Sequence, residues 1–232
     1  MTSPLADVVQ AAFQDCRDMD ASLGERLDAF AASVRAISEP FAEAVDRLVA
    51  RLQKAEVGAG APRVGGLLPP FHLPDEKGRI VSLGDWLSRG PVAVVVHRGH
   101  WCPYCRINMR ALAQARPEIE AAGGQVIAIV PDRQQYAAAF LSEAEADFPV
   151  LTDIDNGYAM SLNLVFWLGT EMRDFMSAAG VDLPEYQGNE SWMVPVPATF
   201  VVGRDGRVKA RFVDPDYRKR MTIESMVAEL RS

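Results

Sequence analysis

The run Val92-Ala93-Val94-Val95-Val96, followed at once by His97-Arg98-Gly99-His100 and then Trp101-Cys102-Pro103-Tyr104-Cys105, decides how this chain is read. A continuously apolar, mostly β-branched stretch is what a strand covered on both faces requires. Beyond the cysteines, Met109, Leu112 and Ile119 continue a helical face to the stop signal Gly123-Gly124. Cys102 and Cys105 are therefore expected at the first turn of a helix that leaves a buried strand. Unpaired N–H groups and partial positive charge at such a place favour a thiolate over a thiol. Pro103 suits the first turn, where its missing N–H costs nothing. Three-residue spacing brings both sulfurs within bonding reach. Cys102, nearer the helix end, is expected as the exposed attacking thiol, with Cys105 behind it to resolve the mixed disulfide.

Downstream, residues 125–130 read as another buried strand closed by Pro131, residues 133–144 as helix, and Val150-Leu151 as a short strand. Residues 199–202 and 207–212 are strands joined by Arg204-Asp205-Gly206, a hairpin signal. Thr222 opens a last helix with Ile223, Met226, Val227 and Leu230 inward. Ile80-Val81 reads as a strand ahead of the central run. The pattern β-α-β-α then β-β-α predicts an α/β fold, a mixed central sheet with helices on both faces. Between these parts, residues 158–186 carry Phe166-Trp167-Leu168, Met172, Phe175 and Met176 at helix-like spacing, read as core or as an insertion walling a cleft. The acidic run at 143–147 reads as a solvated face.

Upstream of residue 58 the grammar is helical. Leu5, Val8, Val9, Ala12, Phe13 and Cys16 share one face; Leu23, Leu27, Phe30, Val34 and Ile37 form a second seam. Ser38-Glu39-Pro40 starts a third, with Phe41, Val45, Leu48 and Leu52. The reading divides the chain into an N-terminal helical arm (1–57), a linker rich in glycine and alanine (58–66) and one α/β domain (67–232). Stripes on three short helices must be buried, against the domain or against the arm of a second subunit. A homodimer is the expectation.

Composition narrows the partners. A net charge of -7 with no basic stripe argues against nucleic acid. No apolar run approaches the roughly 18 residues of a membrane helix. The N-terminus has no basic leader, and three cysteines make no disulfide framework, so a cytoplasmic location is expected. No phosphate-binding glycine loop or dinucleotide fingerprint appears, so no organic cofactor is implied.

Strand, then Trp-Cys-Pro-Tyr-Cys, then helix resembles the thioredoxin superfamily, and Pro103-Tyr104 is the dipeptide glutaredoxins use. Val196-Pro197-Ala198-Thr199-Phe200 is similar to that superfamily's cis-proline segment, which implies a cis bond before Pro197 facing the cysteines. Residues 71–75 (FHLPD), 81–83 (VSL) and 201–206 (VVGRDG) narrow the likeness to the peroxiredoxin-like (AhpC/TSA) branch. Peroxiredoxins carry Pro-x-x-x-Thr-x-x-Cys and a distant arginine. Matched here, Cys105 falls on the peroxidatic position, Cys102 replaces the threonine, Arg98 the proline, and Pro197 the arginine. Without those donors, charge on peroxide oxygens finds no support, and the resemblance implies dithiol chemistry first.

The expectation is thus a thiol-disulfide oxidoreductase using Cys102 and Cys105, restored by a thioredoxin-like or glutathione reductant. Arg98, His100, Trp101, Pro103, Tyr104 and Pro197 are the supporting residues. Arg98 and His100 either raise the potential at the thiolate or stand solvated at a strand end, and Trp101 walls the disulfide or fills core. The alternative is a thiol peroxidase acting on hydrogen peroxide or organic hydroperoxides, with Cys105, or failing that Cys102, oxidised to sulfenic acid and the other cysteine resolving it. A third reading is a non-catalytic fold that binds a partner or a metal, with His97 and His100 completing a zinc set. Cys16 reads as a small buried hydrophobe.

Overall fold

In the computed structural model, residues 4–231 are described, with side chains from Asp7 onward. Leu5 of the first apolar seam therefore lies outside the described side chains. Three helices come first: α1 (Pro4–Arg17), α2 (Leu23–Ile37) and α3 (Glu39–Lys54). Ser22 caps α2 in a reciprocal box with Glu25, and the Ser38 hydroxyl accepts the Phe41 N–H at the start of α3, with Pro40 in the first turn.

The rest follows as β1 (His72–Pro74), β2 (Ile80–Ser82), α4 (Leu83–Leu87), β3 (Val92–Val96), α5 (Pro103–Gln114), α6 (Arg116–Ala121), β4 (Gln125–Val130), α7 (Gln134–Glu143) and β5 (Val150–Thr152). Then come α8 (Gly157–Ser161), β6 (Val165–Trp167), α9 (Thr170–Ala178), α10 (Leu183–Gln187), β7 (Met193–Pro195), β8 (Ala198–Val202), β9 (Val208–Val213) and α11 (Ile223–Arg231). The central sheet has the order β5-β4-β3-β8-β9, with β3, β4 and β5 parallel and β8 and β9 antiparallel to their neighbours. β3 is the middle strand, and all five of its residues are buried, as its unbroken apolar run demands. The β8–β9 hairpin turns on Gly206, whose φ of +78° is cheap only for glycine.

Three local readings need correction. The helix after the cysteines breaks at Ala115, because Pro117 has no N–H for a continuing helix and starts α6 instead. Phe166-Trp167 is not helical: Val165–Trp167 pairs antiparallel with Met193–Pro195 as a separate two-stranded ribbon, and only Met172, Phe175 and Met176 lie on helix α9. A short apolar run has no period of its own to separate strand from helix. The Val196–Pro197 bond is trans, as is every peptide bond among the described residues, so the cis-proline expectation fails.

The arm's apolar stripes are used within this chain. Phe13 packs edge-on to Phe30 at 6.4 Å, and Phe30 edge-on to Tyr104 of α5 at 5.0 Å. Phe41 meets Phe175 of α9 at 5.7 Å, and Arg26 donates to Gln114 Oε1 at 2.8 Å. The chain's own domain thus supplies much of the burial these stripes need, while Val8 of the first stripe stays 52% exposed. Residues 58–66 are held along β9, where Gly65 N–H donates to the Val208 carbonyl and Val208 N–H to that of Gly66. Among the described residues no helix is long and apolar enough to cross a membrane.

Candidate active site

β3 delivers the chain to His97 and Arg98, and α5 starts at the cysteines, so the site forms where the middle strand of the sheet hands over to a helix. Cys102 is the N-cap of α5, in extended conformation, and Pro103 occupies the first turn as expected. The Cys102 carbonyl accepts the N–H groups of Cys105 (3.0 Å) and Arg106 (3.1 Å). Both thiols are free and both are buried, Cys102 1% and Cys105 0% exposed. The expectation of an exposed Cys102 is therefore overturned.

Two guanidinium groups reach the sulfurs. The Arg98 guanidinium Nη1 stands 4.0 Å from Cys102 Sγ, and the Arg98 main-chain N–H donates to Cys105 Sγ at 3.4 Å. The Arg98 side chain is 2% exposed, so it is not a solvated strand-end residue. Its guanidinium lies over the Tyr217 ring at 3.9 Å and the Trp101 ring at 4.7 Å, cation–π contacts that offset part of its desolvation. Arg220 Nη2 donates to Cys105 Sγ at 3.3 Å, while its Nη1 is fixed by the carbonyls of Tyr217 and Lys219.

These contacts decide the ionisation. Burial alone raises the Cys102 thiol; the Cys105 thiol donating to it and the charges of Arg98 and Arg220 overcome that and bring it down to about 5. Cys105 moves the other way, up by burial and by the negative charge of Cys102. The pair thus shares one proton, with the thiolate on Cys102.

His100 does not touch the sulfurs. Its Nε2 is 2.7 Å from Glu143 Oε2, and Arg106 makes a forked pair with the same carboxylate. Glu143 therefore leaves the solvated face on which the acidic run was placed. Burial raises its carboxyl, but His100 and Arg106 outweigh this and hold it at about 2, below the usual 4.5. A depressed carboxyl contributes stability that is complete above the unfolded value and is lost as pH falls through the folded one. Glu143→Gln is expected to lower stability by about 2–3 kcal/mol at pH 7, a deficit that shrinks as pH falls toward 2; urea unfolding across that range reads it.

His97 is wholly buried, its ring edge-on to Phe140 at 5.3 Å with neither nitrogen hydrogen-bonded. Burial, then the charge of Arg220, drives it down to about 3, so it is neutral. With His100 on Glu143, the two histidines do not converge on the cysteines as a zinc set would. Pro197 precedes Ala198, which pairs with Val96, and so lies just beyond the end of the β3–β8 pairing, at the level of His97.

Asp132, just past the end of β4, lies under this loop. His100 N–H donates to its Oδ2 at 2.6 Å. Gly99 (φ +133°) makes room for it: a Cβ there would stand 2.4 Å from Asp132 Oδ1 and 2.7 Å from Trp101 Nε1. Burial pushes the Asp132 carboxyl up to about 8, the His100 N–H opposes this, and the Cys102 charge adds to it.

The structure thus brings together Cys102, Cys105, Arg98 and Trp101, with Pro103 opening the helix and Tyr104 edge-on to Tyr217 at 5.5 Å. It adds Arg220, Tyr217 and Asp132, which the sequence reading missed. Asp132 carried a usable signal, its place at the carboxyl end of a parallel strand. Arg218-Lys219-Arg220 reads as an ordinary solvated basic cluster and offers none.

A family model described as the AhpC/TSA family matches residues 64–211. The 1-Cys peroxiredoxin PER1 of Triticum aestivum is 24% identical over 159 residues, covering 66% of this chain and 64% of that protein. The chloroplastic Peroxiredoxin Q of Sedum lineare is 30% identical over 92 residues, covering 40% and 49%. The matches thus span 64% and 49% of these relatives' lengths. The crystal structure of Peroxidoxin BcpB from Mycobacterium tuberculosis superposes with a TM-score of 0.57 at 20% identity, over 73% of this chain and 97% of that one, which shows a shared fold.

Proposed function

The chain belongs to the AhpC/TSA family, and from that premise we propose that it is a thiol peroxidase whose two reducing electrons come from the Cys102–Cys105 dithiol. The observation that carries the reading is a buried thiolate with one guanidinium beside it and a second on its partner sulfur. Sulfurs 1% and 0% exposed suit an oxidant of a few atoms better than a protein disulfide, which must bring its own sulfur into line. Arg220 supplies a donor of the kind that Pro197 does not, and this reverses the order expected from sequence alone.

The Cys102 thiolate attacks one peroxide oxygen; the O–O bond breaks, and the sulfur becomes a sulfenic acid while the other oxygen leaves as hydroxide or alkoxide and takes the Cys105 thiol proton to become water or an alcohol. Arg98 and Arg220 face the negative charge as it moves from sulfur to oxygen. Oxidation removes the Cys102 charge that had held Cys105 protonated. Arg220 and the Arg98 N–H then favour the Cys105 thiolate, which displaces hydroxide from the sulfenic sulfur and closes the disulfide. A thioredoxin-like or glutathione reductant returns the dithiol by exchange.

The test is a single turnover of fully reduced protein with stoichiometric hydrogen peroxide, followed by tryptophan fluorescence and thiol counting. Oxidation orders of magnitude faster than a free thiol, with two thiols lost per chain, is the expected result. A free-thiol rate together with ready reduction of a model protein disulfide would replace the reading by disulfide exchange alone.

A further inference from the structure

Asp132 is a carboxyl group with nothing to balance its charge. It is 0% exposed, its Oδ2 takes only the His100 N–H, and its Oδ1 has no hydrogen-bond partner. Trp101 Nε1 shares with its Oδ1 the space beside Gly99, and the groups whose charge it feels or affects are the Cys102 sulfur and the Tyr186 hydroxyl. None of them is a cation. Arg133, next in sequence, sends its guanidinium to Glu185, and the His100 ring is held by Glu143. An ionised carboxylate here would sit in low dielectric beside a thiolate, so the neutral acid is the form the site accepts while the dithiol is reduced. The disulfide form differs. With the thiolate gone, the negative charge of Cys102 that opposes a carboxylate at Asp132 is removed, while the His100 N–H that favours one stays in place.

We propose that Asp132 stores one proton as a carboxylic acid in the reduced protein and gives it up when the disulfide forms. The proposal rests on the dithiol reading above and adds the proton account to it. A thiolate, a thiol and an un-ionised Asp132 react with hydrogen peroxide to give a disulfide, an Asp132 carboxylate and two water molecules. Charge is conserved, and both peroxide oxygens leave as water using the thiol proton, the Asp132 proton and the peroxide's own two. The dithiol is oxidised by two electrons, the peroxide is reduced by two, and no proton is drawn from solvent. Asp132 acts as a proton-holding residue behind the loop rather than as a contact to the peroxide.

Counting protons tests this. Full-length reduced protein and its Asp132→Asn variant are oxidised with stoichiometric hydrogen peroxide at pH 7 in weak buffer containing a pH indicator. Wild type is expected to take up under about half a proton per disulfide and Asp132→Asn close to one. Uptake of a full proton by wild type, or equal uptake by both proteins, overturns the proposal. A purely structural role for Asp132 would change stability and leave the proton count alone. In wild type, carbon NMR of labelled aspartates needs no variant. The Asp132 midpoint is expected to fall on going from dithiol to disulfide, and an unchanged midpoint refutes the idea. If peroxide oxidises the protein no faster than a free thiol, the peroxidase reading falls. The same proton count with oxidised glutathione as oxidant then still decides Asp132.

Discussion

Cys102→Ser is expected to slow oxidation of the reduced protein by hydrogen peroxide about 100-fold at pH 7. With Cys102 at about 5 the sulfur is almost fully thiolate at neutrality, whereas Cys105, raised by its burial, is almost fully thiol. Only the thiolate attacks; in Cys102→Ser the Cys102 charge no longer raises Cys105, but its burial still does, so its ionised fraction stays far below that of Cys102 in the wild type. Cys105→Ser should behave differently. It keeps the thiolate and its Arg98 contact, reacts once, and stops at a sulfenic acid that dimedone traps and mass spectrometry counts. Arg220 then faces a serine hydroxyl, and no disulfide forms. The opposite pattern, a fast phase surviving in Cys102→Ser and missing from Cys105→Ser, would make Cys105 the first nucleophile.

The second large effect belongs to Arg98. Arg98 is the largest fully buried side chain among the described residues, its guanidinium stacked on two aromatic rings and facing the thiolate. Arg98→Met leaves that thiolate in low dielectric with less counter-charge, and breaking a buried pair of this kind costs about 3–5 kcal/mol. The group able to relieve the cost is Cys102 itself, by taking up a proton. The ultraviolet absorbance of the thiolate should therefore titrate with a midpoint well above about 5 in the variant. Arg98→Lys retains a charge but loses the planar stack on Tyr217 and is expected to recover only part of the shift. A variant that unfolds easily but titrates like wild type would mean that Arg98 packs the core and does not set the thiolate.

What could be read beforehand follows from distance along the chain. Cys102 and Cys105 share one helical turn, and their strand-to-helix setting is written in adjacent residues; the α/β order was legible for the same reason. The surroundings were not. Arginine is ordinarily exposed, and nothing within the run His97 to His100 says that Arg98 turns inward onto Tyr217. Tyr217 and Arg220 arrive from beyond β9, outside the residues matched by the family model. Pro197 carried a family-level expectation of a cis bond, yet the trans chain fits beside His97. Glu143 looked like one acid among several in a polar run until α7 set it against His100 and Arg106.

Arg220 and Cys105 stand 115 positions apart, and the arginine comes second. A ribosome therefore releases both cysteines long before it has made one of the two cations that tame them. Until residues 217–220 fold back onto the loop, the cysteines are left without that cation, and the pair lacks one of the charges that favour a thiolate at this place. Reactivity at this site is in that sense a maturation step, reached when synthesis has passed Arg220, and the unfinished chain is spared a reactive dithiol that it could not yet shelter.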